Sequence, residues 1–295
     1  MVALGALVLV AQLNLGPMGF DHVVSLRVED NGLVYYGQWF GEFGTWNWKT
    51  GKRSSSVIGQ QTNSFVFGDD HLITTHHYSA RPAFAIRDPK TGYETYRSPD
   101  PLAEALGIDP TGLVIAVYNR DTRTNGKGFR YWLNAKNGQR TGDIQRGYYL
   151  SISSGGQSYV AFSHDAKGIT YYANMTTWNW SPPGDNPYRV ANGVSANGER
   201  IWWSDGNRLA TYVLDKRGVL VAKVRALVTT ISDDGEWLGR GGESPFIMRA
   251  KVGAQQLQLA GYVSALDFSP SSRYLAVATY GGKVQIYQLN GEGNP

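Results

Sequence analysis

Cysteine is absent from this 295-residue sequence, which excludes disulfides, thiolate metal sites and a cysteine nucleophile. Charge is also scarce, because Asp, Glu, Lys and Arg together make up 18% of the residues and the net charge is +4. No run of five basic residues occurs, so the sequence does not predict nucleic-acid binding. The composition is that of a packed globular protein rather than a disordered one.

The N-terminus has no positive charge, since the first basic residue is Arg27. A signal peptide would carry basic residues before its apolar stretch. The apolar run at residues 4–15 is also shorter than the twenty or so residues that span a bilayer. We therefore expect no membrane span and a cytoplasmic protein, with a secreted or periplasmic location as the alternative.

Signatures of catalysis are missing as well. The sequence contains no G-x-S-x-G elbow and no phosphate-binding P-loop, and Ser232–Gly235 misses the S-x-D-x-G spacing of sialidase-type Asp boxes by one residue. His71, His76 and His77 are close in sequence, but consecutive residues of a strand point to opposite faces. Structural histidines are thus favoured over a metal site. We assign no catalytic residue, metal or cofactor, and we expect a binding protein rather than an enzyme.

Turn residues and aromatics are abundant, with 36 Gly, 12 Pro, 18 Tyr, 10 Phe and 9 Trp. Segments 194–214, 231–242 and 262–290 repeat one plan of strand, polar turn and strand. The turn between the first two strands recurs about every 40 residues, which is the length of a four-stranded propeller blade. The seven turn positions are Gly32, Asp70, Gly112, Gly156, Gly198, Gly235 and Ser272.

A second landmark follows the third strand of several repeats, where a polar turn carries a glycine. It occurs at Trp48–Lys52, Asp88–Gly92, Asn134–Gly138 and Asp215–Gly218. The two landmarks together predict an all-β fold: one domain over residues 1–295, built as a seven-bladed β-propeller of four-stranded antiparallel blades. Residues 101–107 are the one place where a short helical turn competes.

The last repeat has three strands, predicted at Val263–Phe268, Tyr274–Thr279 and Val284–Leu289, and then the sequence stops. The apolar run at residues 4–15 is compatible with a β-strand and is not otherwise used. We predict that it forms the outer strand of the last blade and so closes the ring, because pairing covers an open sheet edge. A cleaved signal peptide is the alternative for the same residues.

The segment Phe268–Val277 resembles the first turn and second strand of WD-repeat propellers and of TolB-type propellers, which commonly read S-P-D-G-x-x-L-A there. Ser232–Gly235 is a second partial match. The Gly-His pair and the Trp-Asp dipeptide of WD repeats are absent, so the hydrogen-bond network that they support does not transfer. The resemblance implies a divergent propeller, and by analogy a binding platform.

Tryptophans form a third pattern. Thr45–Trp48 recurs as Thr177–Trp180, and Trp202 and Trp203 are adjacent. We favour aromatic side chains stacked between blades. An aromatic platform for a sugar or a peptide is the alternative.

Glu29, Asp109 and Asp267 lie near the ends of first strands. These few acidic residues are not enough to favour a calcium site in the central channel.

Function is predicted on the loops that join second to third strands and that enter each blade. These loops combine Arg, aromatic and acidic residues, which are common in binding hot spots. We predict a non-catalytic platform for a protein or peptide partner, with a carbohydrate-binding or carbohydrate-active propeller as the alternative, and a monomer. The candidate binding residues are Trp39, Phe43, Tyr78, Arg81, Arg120, Asp121, Arg123, His164, Asp205, Arg240 and Tyr280, together with Glu42 and Glu243 on the same loops.

The loop at residues 119–128 is the longest of these, and it is the predicted centre of the surface. Closing a loop that is longer than a turn requires costs conformational entropy, so the extra length favours a functional use. Arg120 and Arg123 can make bidentate contacts to carboxylates. A tolerated surface insertion is the alternative reading of this loop.

Overall fold

The structure is a computed structural model. It describes residues 7–16, 21–58, 61–62, 64–67, 72–75, 84–98, 103–108, 114–119, 129–134, 137–143, 149–152, 158–162, 169–173, 176–180, 189–195, 197–206 and 209–289. In the strands of residues 103–132 and 141–194 only the backbone is described. The chain divides into two compact units, residues 1–59 with 228–295, and residues 60–227.

The first unit contains three four-stranded antiparallel sheets among its described residues, with strand orders β2-β3-β4-β5, β22-β23-β24-β25 and β1-β28-β27-β26. Its strands are β1 (Val8–Asn14), β2 (Val23–Val28), β3 (Leu33–Gln38), β4 (Glu42–Asn47), β5 (Arg53–Val57), β22 (Thr230–Ile231), β23 (Trp237–Arg240), β24 (Phe246–Arg249), β25 (Leu257–Gln258), β26 (Val263–Phe268), β27 (Tyr274–Thr279) and β28 (Lys283–Gln288).

The second unit contains four such sheets among its described residues, each made of four strands consecutive in sequence. Its strands are β6 (Ser64–Phe67), β7 (Leu72–Thr75), β8 (Phe84–Arg87), β9 (Glu94–Arg97), β10 (Ala103–Ile108), β11 (Val114–Asn119), β12 (Phe129–Asn134), β13 (Arg140–Asp143), β14 (Tyr149–Ile152), β15 (Ser158–Phe162), β16 (Ile169–Ala173), β17 (Thr176–Trp180), β18 (Arg189–Val194), β19 (Arg200–Asp205), β20 (Ala210–Asp215) and β21 (Leu220–Val224). Residues 103–108 form the strand β10, as the four-stranded plan predicts, and not the short helical turn that competed with it.

The predicted turns between first and second strands are confirmed where they are described. Gly32, Gly198 and Gly235 have φ of 97°, 72° and 75°, and Ser272 has φ of 56° at the equivalent position. The turn residues Asp70, Gly112 and Gly156 lie outside the described residues. A left-handed backbone explains why glycine recurs at these positions, and Ser272 takes the same conformation at a cost in strain.

The turns after the third strands share one local mechanism. In each described case the glycine has a positive φ and its N–H donates to the carbonyl of the residue that opens the turn, as Gly51 donates to Asn47 over 2.8 Å. The side-chain oxygen of Asn47 also accepts from the N–H groups of Lys49 and Thr50. Asp88 does the same for Lys90 and Thr91. Asx turns of this kind explain the recurrence of Asn or Asp at the start and Gly at the end.

The N-terminal run pairs with the last strand. β1 lies antiparallel to β28, with Leu13 opposite Val284 and Asn14 opposite Lys283. Beyond the strand, the N–H of Leu15 donates to the carbonyl of Gly282 over 2.7 Å. The prediction that this run is a strand beside the last strand is confirmed, with β1 shorter than predicted and β28 one residue earlier.

Apolar side chains of neighbouring sheets in the first unit pack against each other and form a buried core. One cluster joins Val34, Tyr36 and Trp46 to Ala276 and Ile286, with Trp48 and Leu13 packed against it. The tryptophans at 46, 202 and 203 are 5%, 3% and 0% exposed, so each is part of a core. This supports the interpretation of stacked tryptophans as core residues at these three positions.

Candidate binding surface

Two neighbouring sheets of the first unit present equivalent loops at one end. In the first sheet, the N–H of Trp39, just after β3, donates to the carbonyl of His22, just before β2, over 2.9 Å. In the next sheet, the N–H of Tyr280, just after β27, donates to the carbonyl of Tyr262, just before β26, over 3.0 Å. Each bond ties the turn between the second and third strands to the segment that enters the sheet.

The four side chains at these positions form a contiguous row of rings, which we call the aromatic row: Trp39, His22, Tyr280 and Tyr262. The His22 ring is stacked on Trp39 with centroids 5.9 Å apart and on Tyr280 with centroids 4.4 Å apart. Tyr262 meets Tyr280 edge to face, with centroids 4.4 Å apart and an interplanar angle of 83°. The row therefore crosses from one sheet to the next.

Much of this row remains accessible to solvent. Tyr262 is 44% exposed and Tyr280 is 38% exposed, and Phe40, next to Trp39, is 46% exposed. Partial burial and the adjacent Tyr262 phenol raise the pKa of the Tyr280 hydroxyl above its ordinary value. Tyrosine and tryptophan rings with one wet edge are the side chains that bind partners with least loss of conformational entropy.

A polar border holds the Trp39 end of the row in place. Asp21 accepts a hydrogen bond from the N–H of Phe40 over 2.9 Å. With its amide in the orientation that satisfies hydrogen bonding, the buried Gln38 donates to Asp21 over 3.1 Å and to Glu42 over 3.3 Å. Glu42 also pairs with Arg53 over 3.1 Å. Both carboxylates are thus engaged within the protein.

The third sheet of the first unit reaches the same end. The N–H of Gly242 donates to the carbonyl of Val263 over 2.7 Å, and the N–H of Val263 donates back over 3.0 Å. Arg240 and Glu243 flank this bridge. Arg240 is half-buried as the last residue of β23, and Glu243 is exposed in the turn that follows.

The predicted binding residues divide into three groups. Trp39 and Tyr280 belong to the aromatic row, and Arg240 lies near it. Phe43 and Asp205 are not on loops as predicted: each lies within a strand and is buried, at 4% and 1% exposed. The predicted residues Tyr78, Arg81, Arg120, Asp121, Arg123 and His164 lie outside the described residues.

Sequence reasoning missed two members of the row, His22 and Tyr262. Both directly precede a first strand, as Trp39 and Tyr280 directly follow a second strand. The repeat itself carries this signal, since the residue before a first strand lies at the same end of a blade as the residue after a second strand. Comparing the residue before each first strand would have placed both rings beside those already chosen.

A second polar cluster lies where β26 meets β2. The carboxylate of Asp267 accepts a hydrogen bond from the N–H of Val28 over 2.9 Å. Burial, with smaller contributions from the nearby Asp233 and Glu29, raises the pKa of Asp267 to about 7, against the opposing effects of the Val28 hydrogen bond and Arg27. No group of three or more His, Cys, Asp or Glu side chains in the described part of the chain has the geometry to hold a metal ion.

Comparisons with known proteins show the fold. No family model and no curated protein matches the sequence. Among solved structures, the chain is similar to the β-propeller domain of Cps50 (Swd1) from Myceliophteria thermophila, with a TM-score of 0.66 and 10% identity over 97% of this chain and 100% of that one. The chain therefore has a β-propeller fold, as the divergent WD-repeat-like resemblance predicted. Among the described residues, no helix is long and apolar enough to cross a membrane.

Proposed function

We propose that the protein is a non-catalytic platform that binds a protein or peptide partner on the end of the propeller that carries the aromatic row. The observation that carries this proposal is the row itself, in which rings from two sheets are held together by main-chain bonds and by stacking. Rigid aromatic anchors at a surface are the side chains that contribute most to protein binding.

The surroundings of the row favour a protein partner over a sugar. Sugar-binding sites combine a flat aromatic ring with carboxylates or amides that are available to hydroxyl groups. Here Asp21 and Glu42 already accept from Phe40, Gln38 and Arg53. The Trp39 and Tyr280 rings each have one face against His22. Arg240 and Glu243 add the mixed charge typical of the rim of a protein interface.

Quantitative affinity enrichment from the native host tests the proposal. The bait proteins are the wild type, the double variant Tyr262→Ala/Tyr280→Ala, and Tyr93→Ala as a matched control. Tyr93 is 73% exposed but lies in the second unit. We expect a set of partners that the double variant loses and that the control retains, with melting temperatures close to that of the wild type. Identical partner sets for all three baits would contradict a role for the row.

A glycan array with the same three proteins tests the carbohydrate alternative. Binding of the wild type to a defined glycan, lost in the double variant and kept in Tyr93→Ala, would favour a lectin over a protein-binding platform.

The loop at residues 119–128 is a second part of the proposal, and its centre lies outside the described residues. Arg120 and Arg123 would extend the surface with guanidinium contacts to partner carboxylates. The double variant Arg120→Ala/Arg123→Ala should weaken partner binding and leave the melting temperature nearly unchanged. Equal binding would make this loop a tolerated insertion.

We further propose that the sheets form one closed domain of seven blades, in which β1 completes the last blade. The seven four-stranded sheets of the described residues and the pairing of β1 with β28 support this arrangement. An experimental structure with six or eight blades, or with β1 detached, would contradict it.

A further inference from the structure

The outer edge of β1 has no partner among the strands that the structure describes. Strand β1 is the terminal strand of its sheet and pairs with β28 alone among the described strands. Because Leu15 donates its N–H to Gly282, the alternation of the backbone directs the N–H groups of Leu13 and Ala11 to β28 and those of Gln12 and Asn14 away from it. A row of such groups is a template for another strand.

The first half of β1 also exposes apolar side chains. Val8, Leu9 and Val10 are 44%, 48% and 37% exposed. The register shifts between Leu9 and Ala11, which leaves Val10 without a partner residue on β28. Three consecutive exposed apolar residues on an edge strand are unusual, because natural sheets protect their edges with charge, proline or a short strand.

The other fourth strands of the first unit are protected in these ways. β5 begins with Arg53 and continues with three serines, and β25 has two residues. β1 has seven residues and no charge. The edge that is longest and most apolar in this unit is thus the one without a protective residue.

We propose that the free edge of β1 pairs with the β1 edge of a second copy of this chain, as two antiparallel strands about a twofold axis. The charge pattern selects this occupant. In an antiparallel pair of identical strands each side chain faces a residue of the same strand, so a charged edge would oppose like charges, whereas Val8–Asn14 opposes none. The paired N–H and C=O groups of Gln12 and Asn14 supply the bonds.

Such a contact is reversible. Seven residues of edge pairing cover less than the roughly 1,200 Å² of a standard interface, so we expect monomer and dimer to coexist. This differs from the monomer expected from the sequence, because the sequence did not show which part of the N-terminal strand would be exposed.

Sedimentation velocity over a concentration series tests this inference on the full-length protein. We expect the average mass of the wild type to rise with concentration, and the rise to disappear in Val8→Lys. Val57→Lys is the matched control: it adds the same charge at a 71% exposed valine on β5, and it should behave as the wild type does.

A second variant distinguishes loss of the free edge from loss of the whole strand β1. Gln12→Pro removes an outward N–H and leaves the N–H groups that bond to β28 in place, and proline is tolerated on a free edge. It should remain monomeric with a melting temperature near that of the wild type. A wild type that is monomeric at every concentration, or equal association by all four proteins, would overturn the inference.

Discussion

Gly44 shows how a single residue is fixed by packing rather than by its backbone angles. A methyl group at this position in β4 would lie 2.5 Å from the Tyr36 hydroxyl and would also meet the carbonyl oxygen of Ser54 on β5. Withdrawal of the Ser54 carbonyl would disturb the ladder between β4 and β5, in which Gly44 faces Ser55. Withdrawal of the Tyr36 hydroxyl would break the hydrogen bond that it accepts from Arg53 over 2.9 Å.

We therefore expect Gly44→Ala to lower the free energy of unfolding by about 1 to 3 kcal/mol, as overpacking of a core does. Gly281→Ala is the control, since the nearest atom to its added methyl group is the Thr279 hydroxyl at 3.6 Å. Chemical denaturation of both variants measures the difference. Equal losses would mean that the close contacts at Gly44 relax at little cost.

Asp267 makes folding depend on pH at one residue. Its ordinary pKa is 3.8, and in the folded protein it is raised to about 7. Between these values the folded state keeps a proton that the unfolded state has released. The stability contributed by this group is therefore full below about pH 4 and is lost as the pH rises through 7.

Asp267→Asn should remove this pH dependence, because the amide stays neutral and its oxygen can still accept from the N–H of Val28. The free energy of unfolding of the wild type, relative to that of the variant, should fall by roughly 3 to 4 kcal/mol between pH 4 and pH 7.5, because each unit of pKa shift corresponds to about 1.4 kcal/mol. Urea denaturation at several pH values measures it. A constant difference across this range would show that Asp267 ionises normally.

At the scale of single residues the sequence is informative where one backbone angle demands one residue type. The turn glycines at 32, 198 and 235 were predictable for that reason. The stacking of His22 between Trp39 and Tyr280 was not, because it depends on the side-chain geometry of two sheets that are far apart in sequence.

Among the elements, β1 is the one whose position follows from counting strands. The last repeat lacks a fourth strand, and the N-terminal run pairs with β28 as that count requires. Its side chains at 11, 13 and 15 pack against the core shared by the first and last sheets. The number of strands did not predict the bulge near Val10 or the exposure of the apolar side chains around it.

Removal of β1 should be costly. A protein beginning at Phe20 loses the hydrogen bonds to β28 and the apolar contacts of Ala11, Leu13 and Leu15, which together contribute several kcal/mol. Its melting temperature should fall well below that of a protein that lacks only residues 1–6. Equal melting temperatures for the two truncations would show that β1 is dispensable to the fold.

Strand β10 illustrates the limit of local propensity at this scale. Residues 101–107 include Leu, Ala and Glu, which favour helices locally, yet residues 103–108 pair with β11 in a four-stranded sheet. Tertiary pairing outweighs weak local propensity. The 40-residue period, with Gly112 as the turn that follows this segment, predicted the strand where local propensity alone did not.

For the whole molecule, the period of the turns predicted the fold and a structural neighbour at 10% identity shares it. The candidate binding surface was predicted less completely. A propeller presents loops at its end whatever its function, so loop position alone selected Trp39 and Tyr280 of the aromatic row, but it also selected the buried residues Phe43 and Asp205.

The central claim is that the aromatic row binds a protein partner, and the most direct test is a titration of a partner obtained by enrichment. Calorimetry with the wild type, Tyr280→Ala and Tyr93→Ala should show affinity reduced at least about tenfold by the first substitution, as expected for a hot-spot residue, and unchanged by the second. Equal affinity for all three proteins, at equal melting temperature, would contradict the account.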